Sequence, residues 1–115
     1  EVLSVSYPGL PSHPDHAVAR EVLRTPGGMV SFRVKGGFER AKRFVDALGL
    51  CQRAASLGSV ETLVSIPVLA SHNGLSEEAL HADGVTRDMV RLSVGIEEAK
   101  DIVADLDSAL ATTSR

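Results

Sequence analysis

The amino-acid sequence predicts an α+β fold, a mostly antiparallel sheet with helices packed on one face. Short segments of alternating apolar and polar residues, typical of half-buried strands, recur along the chain. Segments with apolar residues at helical spacing separate them. The 115 residues suffice for one domain with a modest core, and only 3% are aromatic, so that core must be aliphatic.

The beginning of the chain predicts a strand followed by a helix. Val2–Tyr7 is rich in β-forming residues and a Pro-Gly pair ends it. Ser12 and Pro14 then mark a helix start, because serine caps helices and proline suits their first turn. This helix should run to about Arg24, just before a Pro-Gly-Gly turn.

A second strand and a second helix follow. Met29–Val34 alternates strictly, with its valines and phenylalanine on one face. The next segment predicts a helix whose apolar stripe comprises Phe38, Ala41, Phe44, Val45 and Leu48. Arg40, Lys42 and Arg43 fall between these positions, so we expect them on a solvated polar face.

Residues 51–66 predict two short strands, around Ala54–Ser56 and Thr62–Ile66, separated by a glycine turn. Residues 67–73 should form a loop. Ser76 is then the expected cap of a short helix that has two acids in its first turn.

The last predicted strand, Met89–Gly95, directs Val90, Leu92 and Val94 to one face and Arg91 and Ser93 to the other. A final helix follows. Its predicted apolar stripe comprises Ala99, Ile102, Val103, Leu106, Ala109 and Leu110. Glu97 and Glu98 should lie in the first turn of this helix, where negative charge complements the helix dipole.

Composition narrows the classes of partner. The net charge is −3 and no large basic cluster is present, so we expect neither a nucleic-acid nor a membrane partner. No apolar stretch is long enough to span a bilayer. Cys51 is the single cysteine, which excludes an intrachain disulfide and favours a reducing compartment. We therefore expect a cytoplasmic protein.

Arg91 and Ser56 are the first candidates for ligand binding. A guanidinium on a rigid strand can grip a carboxylate through two parallel hydrogen bonds. The pattern alone fits a solvated arginine as well. Ser56 stands beside a glycine turn, where its hydroxyl can bind a ligand oxygen or cap the local backbone.

Other reactive side chains are better explained structurally. His13 and His16 have a spacing that can hold a metal, but no third ligand lies near them, so we predict no metal site. Cys51 lacks a histidine partner in any recognised arrangement and reads as a small apolar side chain. None of the three lysines has the buried setting that a cofactor-holding lysine requires.

Four motifs in fixed order add a resemblance. They are YPGLPSHP at 7–14, GGMVSF at 27–32, ASLG at 55–58 with ETL at 61–63, and VRLSVGIE at 90–97. Together they resemble the C-terminal part of the Cys/Met-metabolism pyridoxal-phosphate enzymes. That family includes cystathionine gamma-synthase, the cystathionine lyases, methionine gamma-lyase and the homoserine-ester sulfhydrylases.

The resemblance implies that Ser56 and Arg91 bind the substrate's α-carboxylate and that Ser71 lines the same site. It also implies that pyridoxal 5'-phosphate and the catalytic residues belong to a larger N-terminal domain, so that residues 1–115 are a single C-terminal substrate-binding domain. The parent enzyme is then expected to be a homotetramer acting on an amino acid, and this chain alone is expected to be inactive. The chain begins with Glu1 inside a predicted strand, which also suggests a piece of a longer enzyme.

One departure from the family pattern concerns the substrate. Members that handle cystathionine often carry a glutamate just before the motif serine, suited to a distal ammonium. Ala55 occupies that position here. We therefore expect a methionine gamma-lyase or a sulfhydrylase rather than a cystathionine gamma-synthase or lyase. The alternative is a stand-alone, non-catalytic module for amino-acid binding or assembly.

Overall fold

The computed structural model describes all 115 residues, Glu1–Arg115. The strands are β1 (Val2–Ser6), β2 (Met29–Val34), β3 (Gln52–Arg53), β4 (Leu63–Ser65) and β5 (Met89–Ser93). The helices are α1 (His16–Val22), α2 (Gly37–Asp46), α3 (Glu77–Ala82) and α4 (Ala99–Thr112), with one 3-10 turn at Pro67–Leu69. The strands form one sheet in the order β1-β2-β5-β4-β3, antiparallel except between β3 and β4. The predicted α+β fold class is confirmed.

The core lies between one face of the sheet and the helices. Phe44 of α2 is fully buried and meets Phe32 of β2 edge to face, with ring centroids 5.8 Å apart. Leu80 of α3 and Ile102 of α4 join the same cluster. Burying an apolar side chain of this size contributes about 1.5–3 kcal/mol, so these contacts hold the helices on the sheet. Helix α1 buries none of its residues.

The predicted solvent exposure of Arg40 is wrong. This residue was predicted to be solvated, but it is only 6% exposed, whereas Arg43 is exposed. The carboxyl end of α4 lies over this part of α2, and Arg40 donates hydrogen bonds to the carbonyl oxygens of Leu110 and Thr113. The pattern of one helix does not reveal which distant segment covers its polar side.

The strands predicted for residues 51–66 are shorter than expected. Ala54–Ser56 is not a strand, because the parallel pairing of β3 with β4 ends after Ala54 donates to the carbonyl of Val64, at 3.0 Å. The chain then leaves the sheet edge as a loop. Leu63–Ser65 forms β4, and the residues before and after it fall outside the strand. The loop predicted at 67–73 contains the 3-10 turn.

Helix boundaries also differ from the predictions. Helix α1 begins at His16, preceded by turns, and Ser12 caps nothing. The expected cap of α3 is confirmed, since the Ser76 hydroxyl accepts from the amide of Ala79 at 3.2 Å. In α4, Val103 is 54% exposed and Ala99 is also exposed, so neither belongs to the buried stripe.

The end of β5 differs as well. The strand stops at Ser93, which is buried, while Val94 has left the sheet and is exposed. Glu97 and Glu98 both lie before α4 instead of in its first turn, and the Glu97 carboxylate contacts another segment. The loop that follows β3 lies against this segment, and the amide of Ile96 donates to the carbonyl oxygen of Val60 at 2.8 Å. None of the helices combines the length and hydropathy that a bilayer span requires.

Candidate functional site

Arg91 lies in the middle of β5 on the sheet face that the core helices do not cover. Its register partners are Ser31 on β2 and Ser65 on β4. Val90 and Leu92, its neighbours along the strand, point into the core and are buried. The alternation along β5 therefore fixes the direction of the Arg91 side chain, as the sequence predicted, and places it among hydroxyls.

The Arg91 guanidinium has one hydrogen bond within the protein. Its Nη2 donates to the backbone carbonyl oxygen of Ser56, at 3.2 Å. Arginine carries five N–H donors, so most of them have no acceptor in this chain. Arg33, on the same face of the sheet, differs: its Nε and Nη2 both bond the Asp88 carboxylate, at 3.0–3.2 Å. Of these two arginines, Arg91 is therefore the one whose guanidinium has free donors to bind an anion from outside the chain.

Ser56 lies in the loop between β3 and β4 and is exposed. Its hydroxyl makes no hydrogen bond within the chain, so the local-capping alternative finds no support in the geometry. Only its carbonyl is engaged, by Arg91. The structure thus brings together the two residues that the sequence singled out, and their role in binding a ligand stays a prediction.

Ser71, the third predicted site residue, lies in the turn after the 3-10 segment and is exposed. Its hydroxyl is 2.8 Å from Nδ1 of His72. The other ring nitrogen of His72 lies 3.5 Å from the Asp83 carboxylate. No hydrogen bond joins Ser71 to Arg91 or Ser56, so its place in the site also stays a prediction.

A shallow depression of about 240 Å³ adjoins the Ser56 loop. Most of its lining is apolar and no acidic residue contributes to it; the lining residues are Arg53, Ala54, Ala55, Val64, Ser65, Ile66, Leu69 and Ala70. The depression suits an uncharged side chain more than an ammonium group, which would require a nearby carboxylate.

A set of polar ties that the sequence did not reveal fixes the Ser56 loop to the end of β5. The Glu97 carboxylate accepts hydrogen bonds from the amide and the hydroxyl of Thr62, both at 2.8 Å. The same hydroxyl accepts from the amide of Gly95 at 2.9 Å. The amide of Gly58 donates to the Ser93 hydroxyl, at 2.9 Å. The backbone and hydroxyl donors of Thr62 hold the pKa of Glu97 below its ordinary value.

No lysine of this chain suits covalent attachment of a cofactor. Lys35 and Lys100 are exposed, and Lys42 pairs with Glu39 at the surface of α2. Such a lysine needs a buried, desolvated setting. The residues present therefore do not form the attachment site of a pyridoxal cofactor.

Other reactive side chains are occupied by the fold. Cys51 is buried, and burial together with the Asp105 carboxylate raises the pKa of its thiol to about 12, which keeps it unreactive. The imidazole of His16 lies 2.8 Å from the carbonyl oxygen of Pro8, and His13 accepts from the amide of Asp15. Both histidines thus serve the local turns.

Comparison with known proteins identifies the family to which this chain belongs. A family profile described as Cys/Met metabolism PLP-dependent enzyme matches residues 1–111. The chain belongs to this family. The fold and the order of motifs around residues 56 and 91 agree with that membership.

Relatives in this family carry out different reactions. The chain is 45% identical to an L-methionine gamma-lyase of Fusobacterium nucleatum subsp. polymorphum over 92% of its length, and 44% identical to O-acetyl-L-homoserine sulfhydrylase 1 of Thermus thermophilus over 96%. The crystal structure of cystathionine gamma-lyase from yeast matches 99% of the chain, with a TM-score of 0.92 and 41% identity.

The chain spans less than a third of these proteins: 27% of each of the two bacterial relatives and 30% of the yeast enzyme. Similar identity to a lyase and to a sulfhydrylase means that overall similarity does not separate their reactions. The chemistry of individual side chains has to do so.

Proposed function

We propose that these residues form the substrate-carboxylate-binding domain of a pyridoxal-phosphate-dependent enzyme of sulfur amino-acid metabolism. The observation that carries the proposal is the Arg91 guanidinium, held on a strand with most of its donors unpaired and Ser56 beside it. An α-carboxylate is the planar anion that such a fork binds through two parallel hydrogen bonds. Family membership supplies the amino-acid chemistry.

In this proposal the domain orients the substrate. Arg91 grips the carboxylate, and the Ser56 hydroxyl donates to one of its oxygens. A fixed carboxylate restricts rotation of the α-carbon, which aligns its C–H bond for proton removal by a residue outside this chain. The cofactor, when bound, withdraws electrons from that carbon. We place its binding residues, the catalytic base and the N-terminal cofactor domain outside residues 1–115, and we propose a homotetramer as the assembly.

The proposed substrate is methionine or an activated homoserine instead of cystathionine. Ala55 lies next to Ser56 and lines the apolar depression. A distal ammonium such as that of cystathionine would find no acidic partner in this depression, whereas a thioether or an ester needs none. A full-length enzyme should therefore cleave L-methionine, or join a thiol to an O-acylhomoserine, faster than it cleaves L-cystathionine.

Replacing Ala55 tests this preference. Ala55→Glu adds a carboxylate at the depression and should raise kcat/KM for L-cystathionine relative to L-methionine by about tenfold, the worth of one favourable charged contact. Ala55→Gln, of the same size without charge, is the matched control. An equal effect of both variants would contradict the charge argument.

The carboxylate proposal is tested with a pair of inhibitors. L-Norleucine lacks sulfur, and pentylamine is the same molecule without its carboxylate. In the full-length enzyme, Arg91→Ala should weaken norleucine binding by about 10- to 150-fold, the equivalent of roughly 1.5–3 kcal/mol, and leave pentylamine unchanged. Arg91→Lys keeps the positive charge but cannot form two parallel hydrogen bonds. Its affinity for norleucine should therefore lie between those of the alanine variant and the natural enzyme.

Arg43→Ala, on an exposed part of α2, is the control for loss of a positive charge. It should alter neither inhibition constant. If Arg91→Ala weakens both inhibitors equally, or neither, the carboxylate does not bind at Arg91.

A further inference from the structure

The loop that carries Ser56 has little support from the sheet. Residues 54–62 contain no strand, and most of their side chains are exposed. The loop is instead held by hydrogen bonds to residues 93–97, which comprise the last residue of β5 and the segment that follows it. The amide of Ile96 adds a backbone tie to the carbonyl of Val60, at 2.8 Å. Together with the Arg91 bond to the Ser56 carbonyl, these contacts hold the loop beside β5.

We propose that Glu97, acting through Thr62, is a positioning residue for the carboxylate site, and this inference rests on the function proposed above. Glu97 does not touch the site. Its carboxylate binds both donors of Thr62, at the end of the Ser56 loop. Because β5 carries Arg91 and leads directly into this segment, the tie couples the loop to the strand that holds the guanidinium.

Three features distinguish the tie from an ordinary surface contact. Thr62 is fully buried, so its hydroxyl has no water to replace a lost partner. That hydroxyl donates to Glu97 while it accepts from Gly95, which makes it the centre of a connected chain of bonds. The approach is also very close, since a Cβ on Gly95 would overlap the carbonyl oxygen of Val60 and the backbone of Glu61.

The nearest other acids provide a contrast. Glu98 is exposed and its side chain makes no cap hydrogen bond to α4. Glu61 bonds only the hydroxyl of Ser59, at 2.6 Å, within the loop itself. Glu97 is therefore the acid in this region that joins the loop to the β5 segment.

The test measures carboxylate preference in the full-length enzyme, the ratio of the inhibition constants of pentylamine and L-norleucine. Glu97→Gln and Thr62→Val, both close in size to the natural residues, should each lower this ratio by roughly 5- to 20-fold, less than the ~100-fold that a 1 Å misplacement can cost. Thr62→Ser keeps the hydroxyl and should retain the natural ratio. Glu98→Gln is the matched control and should leave it unchanged.

A second tie gives an independent measurement if Glu97 variants fold poorly. Ser93→Ala removes the acceptor of the Gly58 amide and should lower the ratio by roughly 2- to 5-fold, as expected for one neutral hydrogen bond. Its effect should be smaller than that of Glu97→Gln. An unchanged ratio in Ser93→Ala together with Thr62→Val would overturn the inference.

The outcomes separate the two proposals. If Arg91→Ala lowers the ratio but Glu97→Gln and Thr62→Val do not, the positioning role is wrong and the carboxylate site stands. If Arg91→Ala leaves the ratio unchanged, both are wrong. If the Glu97 and Thr62 variants weaken the two inhibitors equally, the tie supports only general structure, and the positioning role is again wrong.

Discussion

Two arginines of this domain have opposite surroundings. Arg40, where α2 meets the end of α4, donates to the carbonyl oxygens of Lys35, Leu110 and Thr113 and pairs with the Glu1 carboxylate. Arg91, on the outer face of β5, has a single and longer bond to a carbonyl. Arg40 is buried and Arg91 only half-buried.

The comparison shows how the donors of a guanidinium can be used to assign its role. Five N–H groups must find acceptors. Where the protein supplies them, as around Arg40, the residue holds secondary structure together. Where the protein supplies one, as at Arg91, a ligand can supply the rest. Both residues are arginines. Their roles differ because the end of α4 covers Arg40 and supplies acceptors, whereas Arg91 has one acceptor in the chain.

The largest expected effect concerns Arg40. Arg40→Met keeps much of the length of the side chain but leaves three carbonyls without their donor, so α2 and α4 should lose about 2–4 kcal/mol of local stability. Hydrogen–deuterium exchange of peptides from both helices in the full-length protein measures this loss. Arg43→Met, exposed on the same helix, should change it by less than about 0.5 kcal/mol. Equal effects of the two variants would show that the hydrogen bonds of Arg40 do not stabilise the two helices.

Asp105 is a second charged residue whose hydrogen-bonding groups are paired within the protein. The Asp105 carboxylate accepts from the amides of Gly49, Leu50 and Cys51, at 2.7–2.9 Å. Burial opposes its ionisation, but these amides outweigh that effect and hold the pKa of Asp105 below its ordinary value. Like Arg40, it is satisfied within the fold, so its role should be structural.

Asp105→Asn should therefore cost about 1–2 kcal/mol at pH 7, since the amide group replaces one acceptor oxygen with a donor. Because the folded pKa is lowered, the stabilisation is complete above the unfolded value near 4 and is lost as the pH falls through the folded value. The difference in denaturation midpoint between the natural protein and this variant should shrink as the pH falls below about 5. A constant difference would show that ionisation is not involved.

Ser56→Ala should affect ligand binding without affecting stability. The Ser56 hydroxyl has no partner in the chain, so its loss should not alter stability. It should weaken norleucine binding by about 0.5–1.5 kcal/mol, the worth of one hydrogen bond, and spare pentylamine. Inhibition constants in the full-length enzyme measure this, and Ser59→Ala, in the same loop, is the control. A stability loss without a binding effect would assign Ser56 to the loop structure alone.

The smallest expected effect is that of Arg91→Ala on stability. Losing one long hydrogen bond at a half-exposed position should change local exchange in β5 by less than about 0.5 kcal/mol. The two variants should therefore have opposite effects. Arg40→Met should lose stability and keep the preference for a carboxylate, whereas Arg91→Ala should keep stability and lose that preference. A loss of several kcal/mol in Arg91→Ala would place both arginines in the same structural class.

The sequence predicted those parts of the fold that depend on local periodicity. Alternation identified β2 and β5, and the helical stripe of α2 buries Ala41, Phe44 and Val45 as expected. Local periodicity did not predict burial or strand pairing where a segment distant in sequence determines them. Arg40 is covered by α4, and the strand expected at Ala54–Ser56 is a loop because parallel pairing ends at the sheet edge.

The positions of the candidate binding residues were predictable to a similar extent, and their role in binding stays a prediction. Alternation in β5 placed Arg91 outside the core, and Ser56 was singled out by the glycine turn beside it and then by the motif resemblance. Glu97 was expected to complement the dipole of α4, because its neighbours resemble a helix start. Its bonds to Thr62 join residues far apart in sequence, and short-range patterns carry no such information.

We propose that Arg91 and Ser56 bind the substrate's carboxylate. A crystal structure of the full-length enzyme with bound L-norleucine tests it most directly. We predict that both carboxylate oxygens lie about 2.7–2.9 Å from the Arg91 guanidinium, with the Ser56 hydroxyl donating to one of them. A carboxylate bound elsewhere, with Arg91 still bonded only to the Ser56 carbonyl, would rule out carboxylate binding by Arg91 and Ser56.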